Sequence, residues 1–434
     1  MKTWKRWLAG LVGLVVLAGA GFAVLAWRPA IDPVAPSAAA DLDATLVAKG
    51  QKLAAAGFCV TCHTAPGGKP FAGGLPMTTQ FGTIYSTNLT PSVATGLGGW
   101  SLEAFTRAMH EGVARDGSHL FPVFPYDRFT QASDEDVKAI YTYLMSLPPV
   151  EQATPAPQMP FPLGWRPLQA GWKLLFFKEG RYQPDAAQSA EWNRGAYLAE
   201  GLSHCASCHT PRNGLGAEKG GAARYSGAAI EGWFAPALTA ANTAPIPWTS
   251  QELYGYLRHG GTALHGVAAG PMSHVVYEGL ALVDEPDVKA IATYFSSLNG
   301  SAQSKVDVAQ VVQKTLAQSR FDPQQSLARG ANVYAAACAA CHYNTLQGPL
   351  AERPELGLKS SLTAADPDNL VQVIVHGISL QQGLPKAMMP AFGHALSDAD
   401  IAALVGYLRQ SRTTLPPWNN VEATVARVRA EPAN

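Results

Sequence analysis

The chain has 434 residues, with 32 basic and 32 acidic side chains balancing to a formal net charge of zero, and only 15% of its residues are charged. That length admits two to four domains, and the lack of a basic excess excludes the electrostatic footprint of a nucleic-acid binder, so no nucleic-acid partner is expected. An apolar fraction of 47% excludes a disordered chain, while 41 glycines and 32 prolines point to loop-rich domains with short helices.

Lys2, Lys5 and Arg6 precede an uncharged run from Trp7 to Trp27. At about 1.5 Å per residue, a helix over this run matches a hydrocarbon core of roughly 30 Å. Aromatics at its two ends suit the two membrane interfaces. Positive charge ahead of the run predicts a cytoplasmic N-terminus, with the rest of the chain on the periplasmic side of the inner membrane. Residues 1–30 are therefore read as an uncleaved anchor. A cleaved signal peptide, processed at Ala18-Gly19-Ala20, is the alternative and exports the remainder equally.

All six cysteines fall into three copies of one pattern: Cys59-Val-Thr-Cys62-His63, Cys205-Ala-Ser-Cys208-His209 and Cys338-Ala-Ala-Cys341-His342. Cys-x-x-Cys-His is the attachment signature of c-type haem. Helix positions i and i+3 share a face, so two thiols reach the two vinyl groups of one haem. The histidine at i+4 then lies beneath the ring and supplies the proximal nitrogen to iron. A disulfide framework would not set a histidine after every pair, and no cysteine is left over to complete a zinc site. Three covalently bound haem c groups are expected.

The motifs stand 146 and 133 residues apart (205 − 59 and 338 − 205), and each sits in a repeat of roughly a hundred residues. The first, 43–150, begins a helix at Lys49-Gly50 and ends another at Gly112. Its closing helix is capped by Ser133, with Asp136 at the capping-box position. A Pro-rich joint follows at 151–188. Its stretch Gly164–Lys178 carries Trp165, Trp172, Leu174, Leu175, Phe176 and Phe177. It is expected to pack between domains, with a partner subunit or the membrane as alternatives. The second repeat, 189–300, shows Arg194-Gly195, Gly260 and the cap Asp284 with Asp287. A polar helix and linker, 301–325, leads to the third repeat, 326–415, with Arg329-Gly330, Gly377 and Ser397 with Asp400. A tail, 416–434, carries Trp418 and a short helix. Tyr143, Tyr294 and Tyr407 recur at one point of the closing helices and read as packing residues. The expected fold is all-α: three tandem class I cytochrome c domains after an N-terminal transmembrane helix. Each domain is completed by its haem, because so short a chain buries little apolar surface alone.

The second axial position of each iron is sought in the loop before the closing helix, where a methionine raises the potential. Met272 stands twelve residues after Gly260, and Met389 twelve after Gly377. Both are expected ligands, the alternative being a gap-filling core methionine. The first repeat breaks the pattern, because Phe124 stands twelve residues after Gly112 and cannot bind iron. Met109 aligns with Leu257 and Ile374 and reads as core. Of His110 and His119, His119 in the variable loop is the preferred substitute, and a five-coordinate iron is the alternative. His204, His259, His265, His274, His376 and His394 carry no expected role.

The motif order, with Gly82-Thr-Ile-Tyr-Ser-Thr-Asn88 and Phe121-Pro-Val-Phe-Pro-Tyr126, resembles the triheme cytochrome c subunits of membrane-bound bacterial dehydrogenases over nearly the whole chain. Such subunits serve quinoprotein alcohol dehydrogenases, flavin-dependent gluconate and sugar dehydrogenases, and molybdenum hydroxylases. The alcohol dehydrogenase branch has Pro-Ala-Met-Pro-Tyr where this chain reads Pro-Val-Phe-Pro-Tyr. Together with Trp172-Lys-Leu-Leu-Phe-Phe177, Gln188-Ser-Ala-Glu-Trp-Asn193 and Cys208-His-Thr-Pro-Arg-Asn213, that difference is more similar to the molybdenum branch. Its members serve aldehyde, isoquinoline or nicotinate dehydrogenases. The resemblance implies an electron-transfer subunit, not catalytic on its own. Its partners would be a molybdenum subunit with an iron–sulfur subunit, and its acceptor ubiquinone or another respiratory carrier. A self-sufficient haem peroxidase or a gas sensor is the reading from another class, and no acid–base constellation stands beside the motifs to support it.

Overall fold

The computed structural model describes residues 2–35, 42–319, 328–342, 349, 354–379 and 388–431. The expected joint at 301–325, the start of the third repeat at 326 and the end of the tail therefore lie partly outside the described residues. By packing, the chain divides into two compact units, Met1–Pro184 with Glu200–His204, and Asp185–Ala199 with Cys205–Asn434.

The first unit begins with α1 (Lys2–Ala26), of which Arg6–Ala26 is long and apolar enough to cross a membrane. Its apolar side chains face outward, Leu11 at 58% exposure and Val15 at 62%. After α1 the backbone is stitched onto the unit. Arg107 Nη1 donates to the Pro29 carbonyl (2.7 Å), the Ile31 amide to the Arg115 carbonyl (2.8 Å) and the Val34 amide to the Gly99 carbonyl (3.2 Å). Helix α2 (Ala44–Ala56) starts where Asp43 accepts from the Thr45 and Leu46 amides. Helix α3 (Leu102–Glu111) is capped by Ser101 and stops at Gly112, whose φ of +63° suits glycine. Ser133 caps α4 (Asp134–Met145). Leu53, Phe105, Met109, Phe129, Val137, Ile140, Leu144 and Leu202 form the core, so Met109 packs as expected.

Residues 151–184 of the aromatic joint belong to this unit. Helix α5 (Leu168–Phe176) lies against α1, and Trp165 meets Phe22 with ring centroids 6.3 Å apart. Lys173 fastens it. Its amine donates to the Glu111 carbonyl, to the Gly112 carbonyl (2.8 Å) and to His119 Nδ1 (3.0 Å).

The second unit holds α6 (Ala190–Tyr197), α7 (Ser250–His259), α8 (Glu285–Leu298), α9 (Val308–Gln318), α10 (Arg329–Ala337), α11 (Asp368–His376), α12 (Asp398–Arg412) and α13 (Val421–Ala430). Around each motif the opening helix crosses the closing one at the glycine seen in the sequence. A Cβ on Gly50 would overlap the Ala139 carbonyl oxygen, one on Gly195 that of Ala290, and one on Gly330 that of Ala403. The basic residue before each glycine then reaches the aspartate at the start of the closing helix. The pairs are Lys49–Asp136 (2.6 Å), Arg194–Asp287 (2.6 Å) and Arg329–Asp400 (2.8 Å). The full capping box forms at Ser397 and Asp400, whereas Asp284 starts α8 without a side-chain bond to its first turn. The tail does not stand apart. Val425 and Val428 of α13 are fully buried in the third core, and Trp418 Nε1 donates to the Ala364 carbonyl (3.0 Å).

Candidate haem-attachment sites

Each motif forms a single helical turn, Cys59–Cys62, Ala206–His209 and Ala339–His342, and none of the six thiols is in a disulfide. Burial pushes the Cys59 and Cys205 thiols up to about 12 and Cys338 up to about 11, the neighbouring cysteine of each motif adding to the effect.

Two of the three histidines are oriented by backbone carbonyls. His63 Nδ1 donates to the Thr87 carbonyl and His209 Nδ1 to the Pro236 carbonyl, both at 2.6 Å. For His342 the Pro354 carbonyl acts on the ring, but the buried Nδ1 makes no hydrogen bond to it. Burial holds all three imidazoles below their ordinary value, against the opposing pull of these carbonyls. In the first two sites the bond fixes one tautomer: Nδ1 carries the proton and Nε2 keeps a free lone pair, the form that ligates iron.

Two short antiparallel ribbons bring the carbonyls in. Pro76–Thr79 with Gly82–Tyr85 ends two residues before Thr87, and Ala228–Ile230 with Trp233–Ala235 ends one before Pro236. The turn after each histidine repeats too. The Gly73 amide binds the His63 carbonyl (2.7 Å) and the Gly227 amide the His209 carbonyl (2.9 Å), with Thr64 and Thr210 hydroxyls accepting from Phe71 and Tyr225. Reading the sequence for side-chain chemistry misses Thr87, Pro236 and Pro354, because they act through main-chain oxygens. The available signal is a leucine two residues after each: Leu89, Leu238 and Leu356.

Two of the residues at the methionine position share a core with a motif cysteine. Phe124 and Cys59 pack against one core, with Phe124 edge-on to Phe129 at 5.2 Å, and Met389 packs against a core that contains Cys338. Met272 packs against Ala268, Val276 and Tyr277. The equal spacing from Gly260 and Gly377 is not matched by equal local structure. Met272 lies in the helical turn Pro271–His274, beyond a ribbon that pairs Gly261 with Val267. Met389 lies in the ribbon itself, paired with Ile378.

His119, the expected substitute in the first repeat, is engaged elsewhere. Its Nε2 lies 2.9 Å from the Ala26 carbonyl at the end of α1, and its Nδ1 accepts from Lys173 at 3.0 Å, so neither nitrogen is left for iron. His110 is buried among Asp134 and Arg181, with its pKa pulled down to about 4 chiefly by burial. His204, without an expected role, packs edge-on to Phe58 (5.5 Å) and Phe129 (5.6 Å).

Among known proteins, the cytochrome c family matches residues 47–148, and the family described as cbb3-type cytochrome c oxidase subunit III matches 325–408. A nicotinate dehydrogenase subunit of Pseudomonas putida is 45% identical over the whole chain, which spans only 36% of that protein's length. The cytochrome c subunit of gluconate 2-dehydrogenase from Pantoea cypripedii is 40% identical over 88% of this chain and 87% of its own. The cytochrome c subunit of the quinone-dependent alcohol dehydrogenase of Gluconobacter oxydans is 33% identical over 89% and 82%.

Proposed function

The chain belongs to the cytochrome c subunits of dehydrogenase complexes, and on that premise we propose that it is the triheme member of its complex. It would take electrons from a periplasmic dehydrogenase and deliver them to ubiquinone or another respiratory acceptor. Bound haem would supply reversible one-electron storage. The chain's own residues fix how it is held. Cys59 with Cys62, Cys205 with Cys208 and Cys338 with Cys341 would form the thioethers, His63, His209 and His342 would ligate the irons, and Met272 and Met389 would add a second ligand in the second and third domains. In the first, Phe124 has no ligating atom and both His119 nitrogens are engaged elsewhere, so no second ligand would be supplied there. The three domains centre on the repeats, the third extended by the tail helix α13 packed in its core, and α1 anchors them in the inner membrane. The observation that carries this reading is the repeated arrangement around the first two motifs: a pair of thiols on one turn, and a histidine whose Nδ1 is spent on a backbone carbonyl.

A molybdenum hydroxylase with an iron–sulfur subunit is the favoured electron source. The identity to the nicotinate dehydrogenase subunit supports it, as do the motifs Trp172–Phe177 and Cys208–Asn213. A pyridine haemochrome assay on the denatured full chain should find three haems, and two or fewer in matured protein would overturn the triheme reading. Metal analysis of the complex purified from native membranes should find molybdenum. A flavin or pyrroloquinoline quinone there instead would assign the chain to the gluconate or alcohol dehydrogenase branch.

A further inference from the structure

The segment from Phe161 to Phe177 faces its cations inward and its apolar side chains outward. Only Arg166 and Lys173 are charged in it. Arg166 Nη1 donates to the His119 carbonyl (3.0 Å) and its guanidinium lies over the Phe121 ring, while Lys173 is buried on its three acceptors. Outside stand Phe161 at 91% exposure, Trp165 at 50%, Leu174 at 70% and Leu175 at 68%. A surface so arranged needs an apolar medium against it.

Its position says which medium. Trp165 packs on Phe22, and a Cβ added to Gly171 would lie 3.7 Å from the same ring. Phe22 stands four residues before the end of α1 at Ala26, so α5 meets α1 about 6 Å from that end. That is the depth at which a span leaves the acyl chains for the headgroups, and at which interfacial helices bury their apolar face. We infer that Phe161–Phe177 is a second membrane contact, an interfacial element seated on the lipid bilayer beside the exit of α1. Lys173 ties α5 to the carbonyl end of α3, so this contact fixes how the first unit is oriented against the bilayer. A single helix followed by a chain would leave that orientation free. The inference rests on α1 spanning the membrane.

The test uses the full-length haem-loaded chain in phosphatidylethanolamine–phosphatidylglycerol nanodiscs, with p-benzoylphenylalanine introduced singly at Leu174, Leu175, Val15 or Val93. After irradiation, mass spectrometry should find phospholipid adducts at 174, 175 and 15 and none at 93, an exposed position of the first unit outside this segment. Adducts at 15 without any at 174 or 175 would overturn the second contact and leave the anchor standing. An absence of adducts at 15 would sink the anchor reading, and the inference with it. Cross-linking of 174 and 175 to a catalytic subunit in the intact complex, in place of lipid, would also overturn it.

Discussion

Phe124 shows how much one side chain decides. It stands twelve residues after its helix-ending glycine, the sequence position at which the other two repeats have methionine, and packs on Phe129 against a core on which Cys59 also packs. Phe124→Met is close to volume-conserving and should cost less than about 1.5 kcal/mol. It should add a third iron–thioether absorption band near the red end and raise the lowest of the three reduction potentials. An unchanged redox titration with three thioether bands already present in the wild type would show that Met109 or Met77 is the ligand. A second residue-scale effect concerns acid. His265 stacks on Trp248 at 3.6 Å, and burial, reinforced by Lys359, pulls its pKa down to about 3. The folded state keeps this imidazole neutral, while the unfolded chain protonates it near pH 6.5. Below that pH the unfolded state binds more protons, so stability falls as pH drops from about 6.5 to about 3, by about 1.4 kcal/mol per pH unit at most. His265→Phe keeps the stacking and should flatten that slope. Thermal denaturation of both proteins at pH 7 and pH 4.5 measures the difference, and equal slopes would remove His265 from the acid response.

At the scale of elements, the three helix crossings share one design. Gly50, Gly195 and Gly330 each let a carbonyl of the closing helix approach to a distance that no side chain permits. Changing any of them to alanine must separate the two helices, at a cost of about 1–3 kcal/mol or more. Each change should lower haem incorporation at its own motif, read by haemochrome content per chain. The sequence shows these glycines, the basic residues before them and the aspartates of the closing helices, since helix starts and stops have residue-type signals. It does not show that Lys49 pairs with Asp136 or Arg194 with Asp287. Those partners lie 87 and 93 positions apart and meet only through the crossing. The carbonyls of Thr87 and Pro236 carry no residue-type signal of their own, since a main-chain oxygen belongs to every residue. The seating of the segment after α1 is hidden likewise, because its hydrogen bonds are made by backbone. A soluble version beginning near Asp41 would leave Arg107 and Arg115 without the Pro29 and Ile31 carbonyls (2.7 and 3.3 Å). At roughly 1 kcal/mol per lost hydrogen bond, a version beginning at Arg28 should be the more stable by about 2–4 kcal/mol. Equal melting temperatures for the two truncations would mean that these bonds contribute nothing.

At the scale of the molecule, the three repeats are not three independent modules, because the second and third share one compact unit. The link is specific. From α11, Asn369 accepts from the Phe234 amide (2.7 Å) and donates to the Phe234 carbonyl (2.8 Å), and Gln372 donates to the Gly232 carbonyl (3.0 Å). Gly232 and Phe234 belong to the hairpin Ala228–Ala235, and the next residue, Pro236, supplies the carbonyl that orients His209. A helix of the third repeat thus holds the support of the second repeat's histidine. A firm bond from Nδ1 to a carbonyl raises the basicity of the imidazole and favours the oxidised metal. Asn369→Ala removes both side-chain bonds, costs about 1–3 kcal/mol and loosens the ribbon. The second haem's potential should rise, although the substitution lies in the third repeat. Redox titration resolves this once the second haem is assigned as the component missing from a Cys205→Ala, Cys208→Ala variant. If that component keeps its potential while the third shifts, the hairpin is held rigid by its own strands and Asn369 serves the third repeat alone.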